Sequence, residues 1–151
     1  MQSRLLRHFI SLNNDIFSCF VQSDYPHNEY LYERRLHIQK NKCMRLMYDI
    51  QIDRLYTIML DYALLRQRVN DHTIFAVCRM ELLALQQAIN QILFEKIVAF
   101  SNKKIESSIE ILLEKIDRFE NIYQNVLRVT APDPMAFLLF IDSLRMFAKN
   151  I

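Results

Sequence analysis

Apolar residues return every third or fourth position along most of this chain. That is the period of a helix with one buried face, not the period of two that marks a half-buried strand. The first such segment covers about 4–21, with Leu5, Phe9, Leu12, Ile16, Cys19 and Phe20 on its stripe and Ser3 placed as an N-cap. Asp24 and Pro26 then give a turn composition, and the proline disfavours helix at Tyr25. A second pattern covers about 28–70, through Cys43, Met47, Ile50, Leu55, Met59, Tyr62 and Val69. As one continuous helix it would extend about 65 Å. A bend, a break near Asn41 or a projection beyond the bundle are equally open, because no proline interrupts it.

Asn70, Asp71, His72 and Thr73 form a polar break, with Asp71 suited to capping. The third helix is expected over about 73–100, lined by Ile74, Cys78, Leu82, Leu85, Ile89, Ile92 and Leu93. After the polar pair Ser101 and Asn102 comes the clearest pattern, about 104–129. There Ile105, Ile109, Leu112, Ile116, Phe119, Tyr123 and Val126 alternate steps of four and three, a seam for packing against another helix. Glu110, Glu114, Lys115, Asp117, Arg118 and Glu120 are expected to face water. Ala131-Pro132-Asp133-Pro134 is a stop followed by a start, with Pro134 at the first helical position, where its missing N–H costs nothing. The last helix, to about residue 150, carries Phe137, Leu138, Phe140, Ile141, Leu144 and Phe147. It is apolar nearly all round at its start and should be well buried or docked on a partner. Short polar links favour antiparallel neighbours. The expected fold is therefore all-α, an elongated antiparallel bundle of about five helices with one long second helix, forming one domain over 1–151.

Composition strengthens this reading. The chain has no glycine in 151 residues, and 52% of its residues are hydrophobic. Glycine serves hairpin turns, bulges and phosphate loops, so its absence disfavours β-hairpin folds and removes every Gly-rich nucleotide motif and the nucleophile elbow. Nineteen basic residues against seventeen acidic leave a net charge of +2, too even a balance for a dedicated nucleic-acid binder. Cys19, Cys43 and Cys78 are far apart and odd in number, which points to buried thiols in a reducing, cytoplasmic setting. The longest uncharged run, 82–94, falls short of the roughly 18 residues that span a bilayer, and Asn13, Asn14 and Asp15 interrupt any signal-peptide core.

Chemistry is sparse. A di-iron bundle needs Glu-x-x-His twice, and the motif does not occur. Zinc spacings are missing as well. Glu33 and His37, at i and i+4, could share a metal or form an ordinary surface pair. Cys43 lies beside Lys42 and Arg45, yet residues one and two away do not share its helix face, so a packed thiol suits it better than a nucleophile. Ser107 and Ser108 have no histidine near them in sequence. No catalytic residue, cofactor or small-molecule substrate is expected, and the chain reads as non-enzymatic. Met44, Met47 and Met59 suit either an adaptable binding surface or the core. A pocket between helices is a third functional reading.

The one concentrated polar feature is Arg34, Arg35, Lys40, Lys42 and Arg45, five positive charges within twelve residues, beside Tyr30, Tyr32 and Tyr48. They wrap around the helix instead of forming a stripe. An anionic partner, such as a membrane surface contacted weakly, is one reading; a solvated face paired with Glu29 and Glu33 is the other. The segment Tyr30-Leu31-Tyr32-Glu33-Arg34-Arg35-Leu36-His37, followed by basic residues and a long Leu/Met helix, resembles the soluble helical regions of bacterial fusaric-acid-resistance-type (FUSC) exporters. The resemblance covers about the first 70 residues. It implies a cytoplasmic, transport-associated portion of an inner-membrane protein and assigns no residue a role. The leading expectation is a helical protein-interaction or self-association domain, with a protein partner or a second copy as ligand; the FUSC-type cytoplasmic domain is the alternative.

Overall fold

The structure, a computed structural model, describes residues 2–21, 34, 37, 38, 41, 54–61, 72–127 and 134–151. The fold is all-α. Among the described residues only the turn 98–101 and the final residue fall outside helix. The elements are α1, Gln2–Val21; a helical segment at 54–61; α2, His72–Ile97; α3, Asn102–Ile122, which continues as a π turn at Tyr123–Leu127; and α4, Pro134–Asn150.

The apolar stripes close on one another in a contiguous core. Leu5, Phe9, Leu12 and Ile16 of α1 are buried, with Leu82, Leu85, Ile89, Ile92 and Leu93 of α2. Ile105, Leu112, Ile116 and Phe119 of α3 join them, as do Phe137, Phe140, Ile141, Leu144 and Phe147 of α4. Helix α2 lies between α1 and α3. Rings tie the remaining elements in: Phe9 stacks on Tyr56 of the 54–61 segment, and Phe17 of α1 meets Phe140 of α4 at 6.3 Å between centroids. Tyr123 stacks on Phe137 at 4.1 Å, and Phe119 tilts against the same ring at 5.3 Å. Each such ring buries on the order of 150–250 Å² and gains from offset contact beyond area alone.

Two neighbouring pairs are joined at more than one point. Glu95 of α2 meets Ser108 of α3, while residues 80–84 of α2 share a cleft with Lys115 and Arg118. In the same way Phe137 meets Tyr123 and Phe119, while Arg145 reaches back to Glu120 and Asp117. One long second helix is not confirmed. The continuous described piece of 28–70 is short, 54–61, with Arg34, His37, Ile38 and Asn41 helical apart from it; the rest lies outside the described residues.

Several boundaries differ from the sequence expectation. Helix α1 begins at Gln2, so Ser3 sits within its first turn and does not cap it. Asp71 and Asp133, the other expected caps, lie outside the described residues. Helix α2 carries non-helical backbone angles at Cys78 (φ −107°, ψ 16°) and ends at Ile97, three residues before the expected stop. That early end is built by hydrogen bonding. Phe100 N–H donates to the Glu95 carbonyl at 3.0 Å and Ala99 N–H to that of Lys96 at 3.3 Å, the two bonds of a Schellman stop. The motif needs a left-handed residue, and Ala99 supplies it at φ 56° in a chain that has no glycine to offer. Ser101 then caps α3, its hydroxyl accepting from Lys104 N–H, and Lys104 Nζ lies 4.1 Å from the centroid of the Phe100 ring. Helix α3 does not run as regular α-helix to residue 129, because its last described turn widens to π from Tyr123. Its seam is largely as expected, with Ile105, Leu112, Ile116, Phe119 and Tyr123 buried and Ile109 half-buried. Glu120, expected in water, is half-buried instead, because Arg145 draws it against α4.

Left-handed backbone costs a residue with a Cβ about 1–2 kcal/mol. Part of any relief from glycine is lost to the freer unfolded chain. Ala99→Gly is expected to raise Tm by about 1–3 °C, a net gain of order 0.5–1 kcal/mol for a chain of this length. Thermal unfolding followed by circular dichroism checks it; a lowered Tm would contradict the assignment of Ala99 to the helix stop.

Candidate functional site

The described residues hold their polar chemistry in four places. The first is a carboxamide cluster between α1 and α2. Asn13, fully buried, donates from Nδ2 to the Gln86 carbonyl at 3.3 Å and to Asn90 Oδ1 at 3.0 Å. Asn14 Oδ1 accepts from Gln86 Nε2 at 3.0 Å and from Asn90 Nδ2 at 2.6 Å. Four hydrogen bonds of these amides thus cross the interface. Buried polar groups left unpaired are costly, so this network favours one register of α1 on α2 over its alternatives. The sequence signal was present, since Asn13 lies four residues beyond Phe9 and three before Ile16, on the apolar stripe. Stripe position alone does not reveal the matching amides 73 to 77 residues away.

The second place is Glu95, which is 1% exposed. Its Oε1 accepts from Gln91 Nε2 and Ser108 Oγ, both at 2.9 Å, joining α2 to α3, while Oε2 has no hydrogen-bond partner. Ser108, which had no assigned role by sequence, is therefore a strut for this carboxylate. The third place is Arg145, which donates to Glu120 and Asp117 of α3 and to Asp142 of its own helix. Partial burial works to lower its proton affinity. The hydrogen bonds to Glu120 and Asp117, and their charges, outweigh that and hold the guanidinium above its ordinary value. The group is a permanent cation clasping α4 to α3.

The fourth place is Cys78, buried and not in a disulfide. Burial, helped by the charge of Glu81, pushes its thiol up to about 11 from an ordinary 9.0. A nucleophilic thiol requires the opposite shift. Cys78 therefore acts as a packing group. The Cys19 side chain and all of Cys43 lie outside the described residues.

The sequence-derived anion cluster is only partly in view. Arg34 is helical and exposed; Arg35, Lys40, Lys42 and Arg45 lie outside the described residues, as do Glu33, Met44 and Met47. His37 is exposed and meets Asn41, with Nδ2 to Nε2 at 3.4 Å. Met59 is fully buried, which places it in the core. No three His, Cys, Asp or Glu side chains among the described residues gather as metal ligands. An open cleft between α2 and α3 is lined by Met80, Glu81, Ala84, Lys115 and Arg118. No helix among the described residues is long and apolar enough to cross a membrane.

What sequence reasoning missed is a set of large apolar side chains in water. Met80 is 72% exposed, Met135 63% and Ile111 51%, and Phe94, Val98, Leu139 and Met146 are each more than two-fifths exposed. No family model, curated protein or solved structure matches the chain. The resemblance to FUSC exporters thus rests on its own residues, of which Arg34 and His37 are described, both exposed.

Two outcomes follow from the buried groups. Glu95→Ala should cost about 1–3 kcal/mol by stranding the donors of Gln91 and Ser108, whereas Glu95→Gln, which keeps an acceptor, should retain most of the stability. Urea titrations of the two variants decide this, and equal losses in both would argue against the strut. For Cys78 the neutral thiol is the form the fold accommodates. Its contribution is complete below about pH 9 and is lost as pH rises through about 11. Cys78→Ala should flatten the decline in stability over that interval, and an unchanged slope would remove Cys78 as its source.

Proposed function

We propose that this chain is a non-enzymatic helical interaction domain, an antiparallel bundle that self-associates or docks a protein partner through an outer helix face. The observation that carries this reading is the exposure of Met80 and Phe94 on α2, of Val98 just past its end and of Ile111 on the adjoining α3, helices that each bury an apolar stripe in the core. Scattered apolar surface is ordinary, but large residues repeated along one helix face suggest a contact site. Methionine and phenylalanine suit such a site because they offer contact area with few polar atoms to desolvate.

The interior polar groups support the same reading. The Asn13, Asn14, Gln86 and Asn90 cluster, the Glu95 strut and the Arg145 clasp each join helices to one another. Their geometry makes a stiff scaffold, and a stiff scaffold presents an outer face without further ordering cost.

Light scattering on the intact chain from low to high micromolar concentration tests the reading. The expected result is a mass that climbs above that of the monomer as concentration rises. A constant monomer mass, together with unchanged solution behaviour when Met80 and Phe94 are each replaced by glutamate, would leave the exposed face without a role.

A further inference from the structure

The turn between α2 and α3 is an apolar tip inside a basic ring, and we infer that it seats on an anionic lipid surface. The inference goes beyond the interaction reading above and does not depend on it. Met80 and Ile111 lie further along the two helices, and the turn is given a contact of its own. Phe94, Val98 and Phe100 are between 38% and 48% exposed, three large apolar side chains within seven residues. Lys96 is half-buried, and Lys103 and Lys104 are exposed. From 96 to 105 the chain has three lysines and no acidic residue. Glu95 is buried against Gln91 and Ser108, so its carboxylate is not part of this surface; Glu106, exposed on α3, offsets one of the three positive charges.

The tip is held in shape. Val98 N–H donates to the Phe94 carbonyl at 3.0 Å, which stacks these two side chains on the last turn of α2. The left-handed Ala99 then turns the chain, and Phe100 follows at once, tied back to the Glu95 carbonyl. Lys104 Nζ lies 4.1 Å from the centroid of the Phe100 ring. An ammonium beside an exposed ring sets positive charge and apolar surface at one level, the arrangement that suits the boundary between headgroups and acyl chains. Segments 62–71 and 128–133 join α2 and α3 at their opposite ends, roughly 38 Å from the turn by helix length, and neither is long enough to lie over it.

Charge and size favour lipid over protein as the occupant. Lysine is depleted at protein interfaces, and three apolar side chains fall well short of the roughly 20–30 residues a side of a standard one. A bilayer accepts a small apolar tip without a matching shape, and each lysine near an anionic surface strengthens binding about fivefold. The contact is shallow and reversible. No helix among the described residues is long and apolar enough to cross a membrane.

Vesicle flotation with the intact chain tests the inference, using phosphatidylcholine vesicles with and without phosphatidylserine. At low salt the chain should float with the anionic vesicles only, and added salt should release it. Lys96→Gln, Lys103→Gln and Lys104→Gln together should weaken binding about a hundredfold. Phe94→Ser with Val98→Ser should weaken it at least about tenfold, with unchanged helical circular dichroism. If that pair loses helix, Val98→Ser alone, just past the end of α2, takes its place. Arg34→Gln, in the separate basic stretch, should leave binding as it is. Absence of flotation with anionic vesicles at low salt would overturn the inference. So would flotation that survives both sets of tip substitutions or is lost only in Arg34→Gln, since the contact would then lie elsewhere. Release by inorganic phosphate at constant ionic strength would make the ligand a free anion, and binding that needs the lysines but not Phe94 and Val98 would reduce the tip to adsorption by charge; either result overturns the seating proposed here. Self-association that disappears in the serine pair, in a chain that never floats, would give the tip to a protein instead. Light scattering without lipid reads self-association separately, so each reading can fail alone.

Discussion

Helix α2 packs between α1 and α3, and the need to cover its apolar side chains organises the described part of the molecule. Its innermost side chains, Leu85, Ile89, Ile92 and Leu93, are fully buried, α1 covers one flank and α3 the other. A helix with one apolar stripe needs one neighbour; a helix apolar on several sides needs several. Among the described residues the cover does not close around α2, and Met80, Phe94 and Val98 stand exposed. The proposed interaction role follows from this shortfall and not from a catalytic group.

The lack of glycine is a second constraint, and it shapes the ends of elements more than their middles. A helix stop of the Schellman type requires one left-handed residue, so Ala99 bears a backbone strain that glycine would not. The fold supports it with the two hydrogen bonds to the carbonyls of Glu95 and Lys96, the Ser101 cap on the next helix and the packing of Lys104 over Phe100. The turn between α2 and α3 is therefore held on both sides. Across that tight turn Ser108 comes beside Glu95.

Polar groups in the interior join helices, and each does so differently. The four amides of the α1–α2 interface bond across it, Asn13 as a donor and Asn14 as an acceptor. The Glu95 carboxylate is satisfied on one oxygen only. Arg145 keeps part of its side chain in water and gathers three carboxylates around a charge it cannot lose. Such groups contribute modestly to net stability but penalise every arrangement in which their partners are missing. They choose among packings that the apolar stripes alone would leave nearly equivalent.

The residues by themselves determined the helical class, the polar cap at Ser101, the start at Pro134, and the buried seam through Ile105, Leu112, Ile116, Phe119 and Tyr123; of the expected break at 70–73, His72 and Thr73 are helical and the rest lies outside the described residues. These depend on local periodicity, on proline, and on side chains that bond their own backbone, all of which act within a few positions of the sequence. Tertiary structure alone decided that Asn13 and Glu95 are interior, that Glu120 is drawn in by Arg145, that α2 stops at Ile97, and that Met80, Phe94 and Ile111 stay outside. Arg34 is the one member of the basic cluster among the described residues, helical and exposed. The reason is geometric. A period fixes which residues share a face of one helix, but whether that face is covered depends on the rotation and register of another helix many residues away, and no local pattern encodes either.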